Sequence, residues 1–246
     1  MSAGTLRQIL LLTDGCSNEG GDPAAVAALA REENITVNVI GVLEEGTLNE
    51  KASQEIESIA ESGGGISQIV YMKQLAKTVQ MVTRQAMTQT LQGVVNKELS
   101  QILGKDQEWD ELPPEKRGEV MEVVDELGES ANLEVVILVD ASASMRNKLQ
   151  TVQEALVDLS ISMDSRSGSN QYTLLTFPGK RKDVEMLRGW TTGITEMSGL
   201  FNKIAAGGIT PTGPALRAAV NEFRTLKRRS MIFDGEDELD LEERGS

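Results

Sequence analysis

The chain has 246 residues, no histidine, a single cysteine and a formal net charge of −14. Without histidine there is no Ser-His-Asp or Cys-His catalysis, and with only Cys16 there is no thiolate zinc site, so any metal must be held by oxygen. No apolar stretch reaches the roughly 20 residues of a membrane span, no cleavable leader is readable, Lys227-Arg228-Arg229 is too little basic surface for nucleic acid, and a lone cysteine fits a reducing compartment, so a cytoplasmic protein with neither membrane nor nucleic acid as partner is expected.

The first apolar run, Gln8–Thr13, is continuous and stops at Asp14-Gly15, the pattern of a strand buried on both faces. Asp22-Pro23 then opens an Ala-rich helix to about Glu33, with Asp as N-cap and Pro at the first helical position. Ile35–Val42 reads as a strand, Glu50–Ser62 as a helix, Ile66–Met72 as a short edge strand and residues 74–103 as a long helix. Gly63-Gly64-Gly65 is a helix stop before a strand, since no GxxxxGK[ST] or GxGxxG pattern accompanies it. Residues 104–133 carry charged residues, Pro113-Pro114 and a helical piece to about Leu127, composing a linker with one exposed or loosely packed helix. A second apolar strand, Glu134–Val139, ends at Asp140, followed by a helix over Lys148–Met163. Tyr172–Phe177 and Asp183–Trp190 form a hairpin, a helix is expected around Glu196–Ile204, and another over Pro214–Thr225. Residues 227–246 read as an acidic, unstructured tail.

Strands alternating with helices predict a three-layer α/β/α doubly wound, mostly parallel sheet. Chemistry in such sheets sits at the carboxyl ends of the strands, where both Asp14 and Asp140 fall. Asp140-Ala141-Ser142-Ala143-Ser144 sets one carboxylate and two hydroxyls on a tight loop with small residues between them. Gly207-Gly208-Ile209-Thr210-Pro211-Thr212-Gly213 presents Thr210 just before a helix. Together these five side chains make an oxygen site suited to a hard cation with a position left open. Taken alone, DxSxS is also a helix-cap sequence. A haloacid-dehalogenase-like nucleophile at Asp140 would need a second Asp two residues on, where Ser142 stands. Cys16, with no histidine to activate it, reads as a passive thiol.

Asp140-Ala-Ser142-Ala-Ser144, Gly-Gly-Ile-Thr210 and Leu-Leu-Leu-Thr-Asp14-Gly resemble the three parts of the metal-ion-dependent adhesion site of von Willebrand factor A domains. The resemblance implies Ser142 and Ser144 as direct ligands, Thr210 as a switchable ligand, and Asp140 and Asp14 as inner- or outer-sphere carboxylates. The cation implied is Mg²⁺, with Mn²⁺ or Ca²⁺ as alternatives. The order of parts differs from the usual one, because the strand ending in Asp14 comes first. Residues 6–103 resemble the C-terminal half of such a domain and residues 134–226 its N-terminal half, so the resemblance implies a circular permutation, with 104–133 joining the family's natural ends. That arrangement is similar to a subgroup from spore-forming Firmicutes. The function implied is a non-enzymatic protein-binding module, in which an acidic residue of a partner protein completes the Mg²⁺ site. The alternatives are a subunit docking on an AAA+ ATPase, as in chelatase-like complexes, and a metal-dependent phosphoester hydrolase. The family's sheet order implies that Glu134–Val139 pairs in parallel with Gln8–Thr13 within a monomer.

Overall fold

A computed structural model describes residues 4–15, 17–43, 50–103, 113–193, 199–201, 204 and 206–243. Six strands form one sheet in the order β3-β2-β1-β4-β5-β6. They are β1 (Thr5–Thr13), β2 (Ile35–Leu43), β3 (Gly64–Tyr71), β4 (Asn132–Asp140), β5 (Asn170–Phe177) and β6 (Glu185–Thr191). All neighbours run parallel except β5 and β6, which pair antiparallel at one edge. β3 closes the other edge, as its length and composition predict.

The central strands are apolar on both sides because each side meets a helical layer. In β1, Leu10 and Leu12 face one layer and Ile9 and Leu11 the other, the period of two that a strand imposes. The first layer holds α3 (Leu75–Leu103) and α5 (Leu149–Met163), which contribute Val79, Val82, Val152 and Leu156. The second holds α1 (Pro23–Glu32), α2 (Glu50–Ser62) and α6 (Thr212–Glu243), which contribute Ala27, Ile56, Ile59, Leu216 and Ala219. Asp22 caps α1 by accepting the Ala24 N–H at 2.9 Å, and Pro23 occupies the first turn. Asn34, just past the end of α1, takes a left-handed backbone, with φ of 58°. One polar pair interrupts the apolar sheet: buried Asn38 on β2 donates to Gln8 on β1 and accepts the Ile66 N–H of β3, pinning the register of three strands.

The segment read as a linker contains α4 (Pro114–Ser130), longer than the helical piece expected. Most of α4 is exposed, but Val124 is fully buried in the core shared with α3. Its far end is also tied down. The Arg166 guanidinium donates to the Gly128 carbonyl at 2.9 and 2.6 Å and to the Ala131 carbonyl at 2.6 Å, satisfying carbonyls that a helix end leaves open. The tail departs from expectation more sharply. α6 continues through Glu243 where residues 227–246 read as unstructured. Acidity alone misled that reading: from Leu226 to Glu243 the chain has no proline and one glycine, and Lys, Arg, Glu, Met and Leu all favour helix. The helix expected at Glu196–Ile204 lies largely outside the described residues. Among the described residues no helix is long and apolar enough to cross a membrane.

β1 pairs with β4 from Thr5↔Asn132 to Leu12↔Val139, the parallel match anticipated for these two runs. It joins the segment before residue 104 to the segment after 131, and neither can cover the inner edge of its own central strand. Expressed separately, residues 1–104 and 131–246 are each expected to be insoluble or molten, and co-expression to restore a folded complex. A cooperative melt by either fragment alone, followed by circular dichroism, would contradict this.

Candidate metal centre

β1, β4 and β5 all end at one rim of the sheet. The β1–β4 register places Thr13 beside the end of β4, and its hydroxyl donates to Asp140 Oδ2 at 2.7 Å. Asp140 is fully buried, and its other oxygen accepts the Ser142 N–H at 2.8 Å. That second bond curls the loop over Ala141, which is itself buried and donates its N–H to the Phe177 carbonyl of β5 at 2.6 Å. A 3-10 turn over Ala143–Met145 carries the chain on towards α5.

The curl brings the side-chain oxygens together. Ser142 Oγ lies 3.1 Å from Ser144 Oγ, and Ser144 Oγ donates to Asp14 Oδ1 at 2.8 Å. An octahedral Mg²⁺ with bonds of about 2.1 Å holds neighbouring ligand oxygens about 3 Å apart. The spacing and the all-oxygen chemistry of this chain of atoms therefore fit a hard cation. Among the described residues no group of three or more Asp, Glu, His or Cys could hold a metal ion, so a cation here would rest on the Asp14 and Asp140 carboxylates and the serine hydroxyls.

Thr210 arrives from the loop before α6. That loop is fastened at several points, one of them the Ser17 hydroxyl donating to the Thr210 carbonyl at 3.3 Å. Gly207 donates to the Ala141 carbonyl at 2.9 Å, and Asn18, just past Asp14, both accepts the Thr210 N–H at 2.8 Å and donates to the Thr210 carbonyl at 3.2 Å. Gly208 has φ of +85° and a side chain there would crowd Pro178, so glycine is required for this approach. Thr210 itself is buried. Two residues on, the hydroxyl of Thr212 is buried without a hydrogen-bond partner.

Two segments of the chain, residues 135–235 and 2–85, match models of the von Willebrand factor type A domain. The protein YabS of Bacillus subtilis is 58% identical over 98% of both chains. A crystal structure of a protein from Alicyclobacillus acidocaldarius superposes with a TM-score of 0.84 at 40% identity, covering 92% of this chain and 97% of that one. The chain belongs to the von Willebrand factor type A family. Within that family it is of the YabS type, in keeping with the resemblance carried by its three motifs.

In this von Willebrand A domain the rim holds more than its motifs announce. Lys148 is almost fully buried and its ammonium pairs with Asp14 Oδ2. Asn18 clamps the threonine loop, and Glu55 of α2 accepts the Ser17 N–H at 2.6 Å, anchoring the loop after β1. No motif signalled these residues, because their partners lie 38 to 192 positions away. Cys16 lies outside the described residues.

Burial raises the Asp140 carboxyl above the ordinary aspartate range. The hydrogen bonds from Thr13 and Ser142 pull the other way, and the nearby Asp14 charge adds to the rise. The folded protein thus holds this proton more tightly than the unfolded chain does. Ionised Asp140 therefore costs the metal-free protein stability, a cost that grows as pH climbs from the ordinary aspartate range through the raised folded value. Asp140→Asn keeps the shape and the acceptor for Ser142 while removing the buried charge. In EDTA at neutral pH it is expected to melt at or above wild type, by at most about 4 °C. A fall of many degrees in a thermal melt would show that the carboxylate holds the loop together.

Proposed function

We propose that this protein is a non-enzymatic, divalent-metal-dependent protein-binding module, with Mg²⁺ as the physiological ion. Asp140, Ser142, Ser144, Thr210 and Asp14 hold the cation, and a carboxylate of the partner supplies the remaining oxygen. A bound dication supplies positive charge and an open coordination position at a rim that otherwise carries two carboxylates. The observation behind this reading is the run of oxygens from Asp14 through Ser144 to Ser142, spaced 2.8 and 3.1 Å apart and drawn from two segments of the chain. It is supported by membership of a family whose members commonly mediate protein interactions.

The surroundings favour an acidic partner. The chain as a whole is strongly acidic, yet the loop after β5 carries exposed Lys180, Arg181 and Lys182. That loop abuts the threonine loop through Pro178 and Gly208. Arg146 is exposed on the serine loop, and Ile209 is 46% exposed beside Thr210. A basic, partly apolar surface next to the threonine loop suits a carboxylate-bearing segment.

We also propose that the order of the two segments is a circular permutation, with residues 104–133 joining the ends of the usual domain. The strand ending in Asp14 and the strand ending in Asp140 are neighbours in the sheet, so the site does not depend on which is made first.

Isothermal titration with Mg²⁺ or Mn²⁺ is expected to show one site. Asp14→Ala and Asp140→Ala are each expected to weaken it at least tenfold by removing an anionic group. Unchanged binding in Asp14→Ala would break the two-segment site and leave only a local serine-loop site. Capture of a partner from native lysate should require the metal and be lost in EDTA.

A further inference from the structure

The buried lysine at the rim breaks two local rules. Lys148 is the N-cap residue of α5, where the helix dipole disfavours a cation, and its side chain is 6% exposed, where an ammonium loses its hydration. A helix start would be better served by Ser, Asp or Asn. A residue costly in both respects needs a compensating partner, and Lys148 has one in Asp14. The two are 134 positions apart in sequence, on the two sides of the β1–β4 seam.

We propose that Lys148 is a built-in counter-cation of the metal site, one that lowers its affinity for the ion and keeps the loaded site electropositive. This rests on the metal reading above. The Asp14 carboxylate has two oxygens with different duties: Oδ1 faces Ser144 and the hydroxyl chain, and Oδ2 faces the Lys148 ammonium. The lysine neutralises much of the charge that Asp14 would otherwise offer a dication, and it fixes the carboxylate's orientation. With Asp140 and Asp14 at −1 each and Lys148 at +1, the protein side of the site carries −1. A dication then leaves a net +1, and an anionic ligand from outside is attracted. Without Lys148 the loaded site would be neutral and would have little electrostatic use for a partner carboxylate. Lys148 is therefore a positioning residue that trades affinity for the ion against affinity for the partner. It also relieves the repulsion between Asp140 and Asp14 when no ion is bound.

The test is titration of Mg²⁺ and of Mn²⁺ into wild type, Lys148→Met, Lys148→Gln and Lys148→Arg, with circular dichroism and thermal melts of each in EDTA and in excess ion. The neutral variants are expected to bind the ion about tenfold tighter or more, the effect of removing a unit charge one carboxylate away from a dication. Lys148→Arg is expected to remain within a few-fold of wild type. In EDTA the neutral variants should melt below wild type, and added ion should raise their melting temperature by more than it raises that of wild type. Binding by Lys148→Met or Lys148→Gln but not by wild type would show the lysine blocking the ion outright, and would overturn both the proposal and the metal-dependent reading of the native protein. Folded neutral variants that bind the ion as wild type does, or more weakly, would overturn it while leaving the metal site standing. Neutral variants that stay unfolded even in excess ion would also overturn it, by making Lys148 a structural residue. Absence of binding by every protein would remove the metal reading itself, and this inference with it.

Discussion

The parallel pairing of β1 with β4 is the contact on which everything else at the rim depends. It is a backbone ladder between two strands that are buried from their middles to their carboxyl ends, with apolar side chains on both faces. A slip of one residue would part Arg7 from Glu134 and Thr13 from Asp140, the polar pairs that specify this register. That same register delivers Thr13 to Asp140 and, one residue on, Asp14 to Ser144. The hydrophobic core thereby positions a polar site whose own hydrogen bonds would be too few to assemble it. The threonine loop is then added by backbone hydrogen bonds to both sides of the seam, from Gly207 to Ala141 and between Asn18 and Thr210.

Charge at the rim is arranged with similar economy. Asp140 is sequestered, hydrogen-bonded on both oxygens and raised in pKa by burial. Asp14 is shared between a serine and a lysine. The hydroxyls of Ser142 and Ser144 are neutral donors, which lets two carboxylates stand near one point without a third. Such a set is unlike the carboxylate-rich cages that bind cations tightly, and it leaves room for an acid from outside.

Much of this was legible in the sequence. Strand and helix positions followed from continuous apolar runs punctuated by Asp-Gly, Asp-Pro and Gly-Gly, because in a doubly wound sheet the strands need no polar face. The hairpin of β5 with β6 and the edge position of β3 were readable for the same reason. The four motif residues that meet through side chains, Asp14, Asp140, Ser142 and Ser144, were readable because motif spacing encodes loop geometry. What was not legible depends on long-range partners or on competing local terms. Lys148 looks like an ordinary polar residue at the start of an amphipathic helix, and only the fold reveals that Asp14 is its neighbour. Arg166 looks like a surface arginine, yet it closes the end of α4. The tail's acidity and its helix-favouring composition point in opposite directions, and α6 runs through Glu243.

The separation of the two strands also sets a clock on synthesis. Thr13 and Asp140 are 127 residues apart, and at about 5–20 residues per second a ribosome needs roughly 6–25 s to cover that distance. For that time β1 can pair with β2 while its other edge, flanked by Leu10, Leu11 and Leu12, has no strand to meet. Collapse and loop closure take about 100 microseconds or less, so the nascent chain outpaces its own completion by several orders of magnitude. A domain made in this order lives through its most aggregation-prone interval while still attached to the ribosome, where a second copy on the same message is the nearest available source of β4.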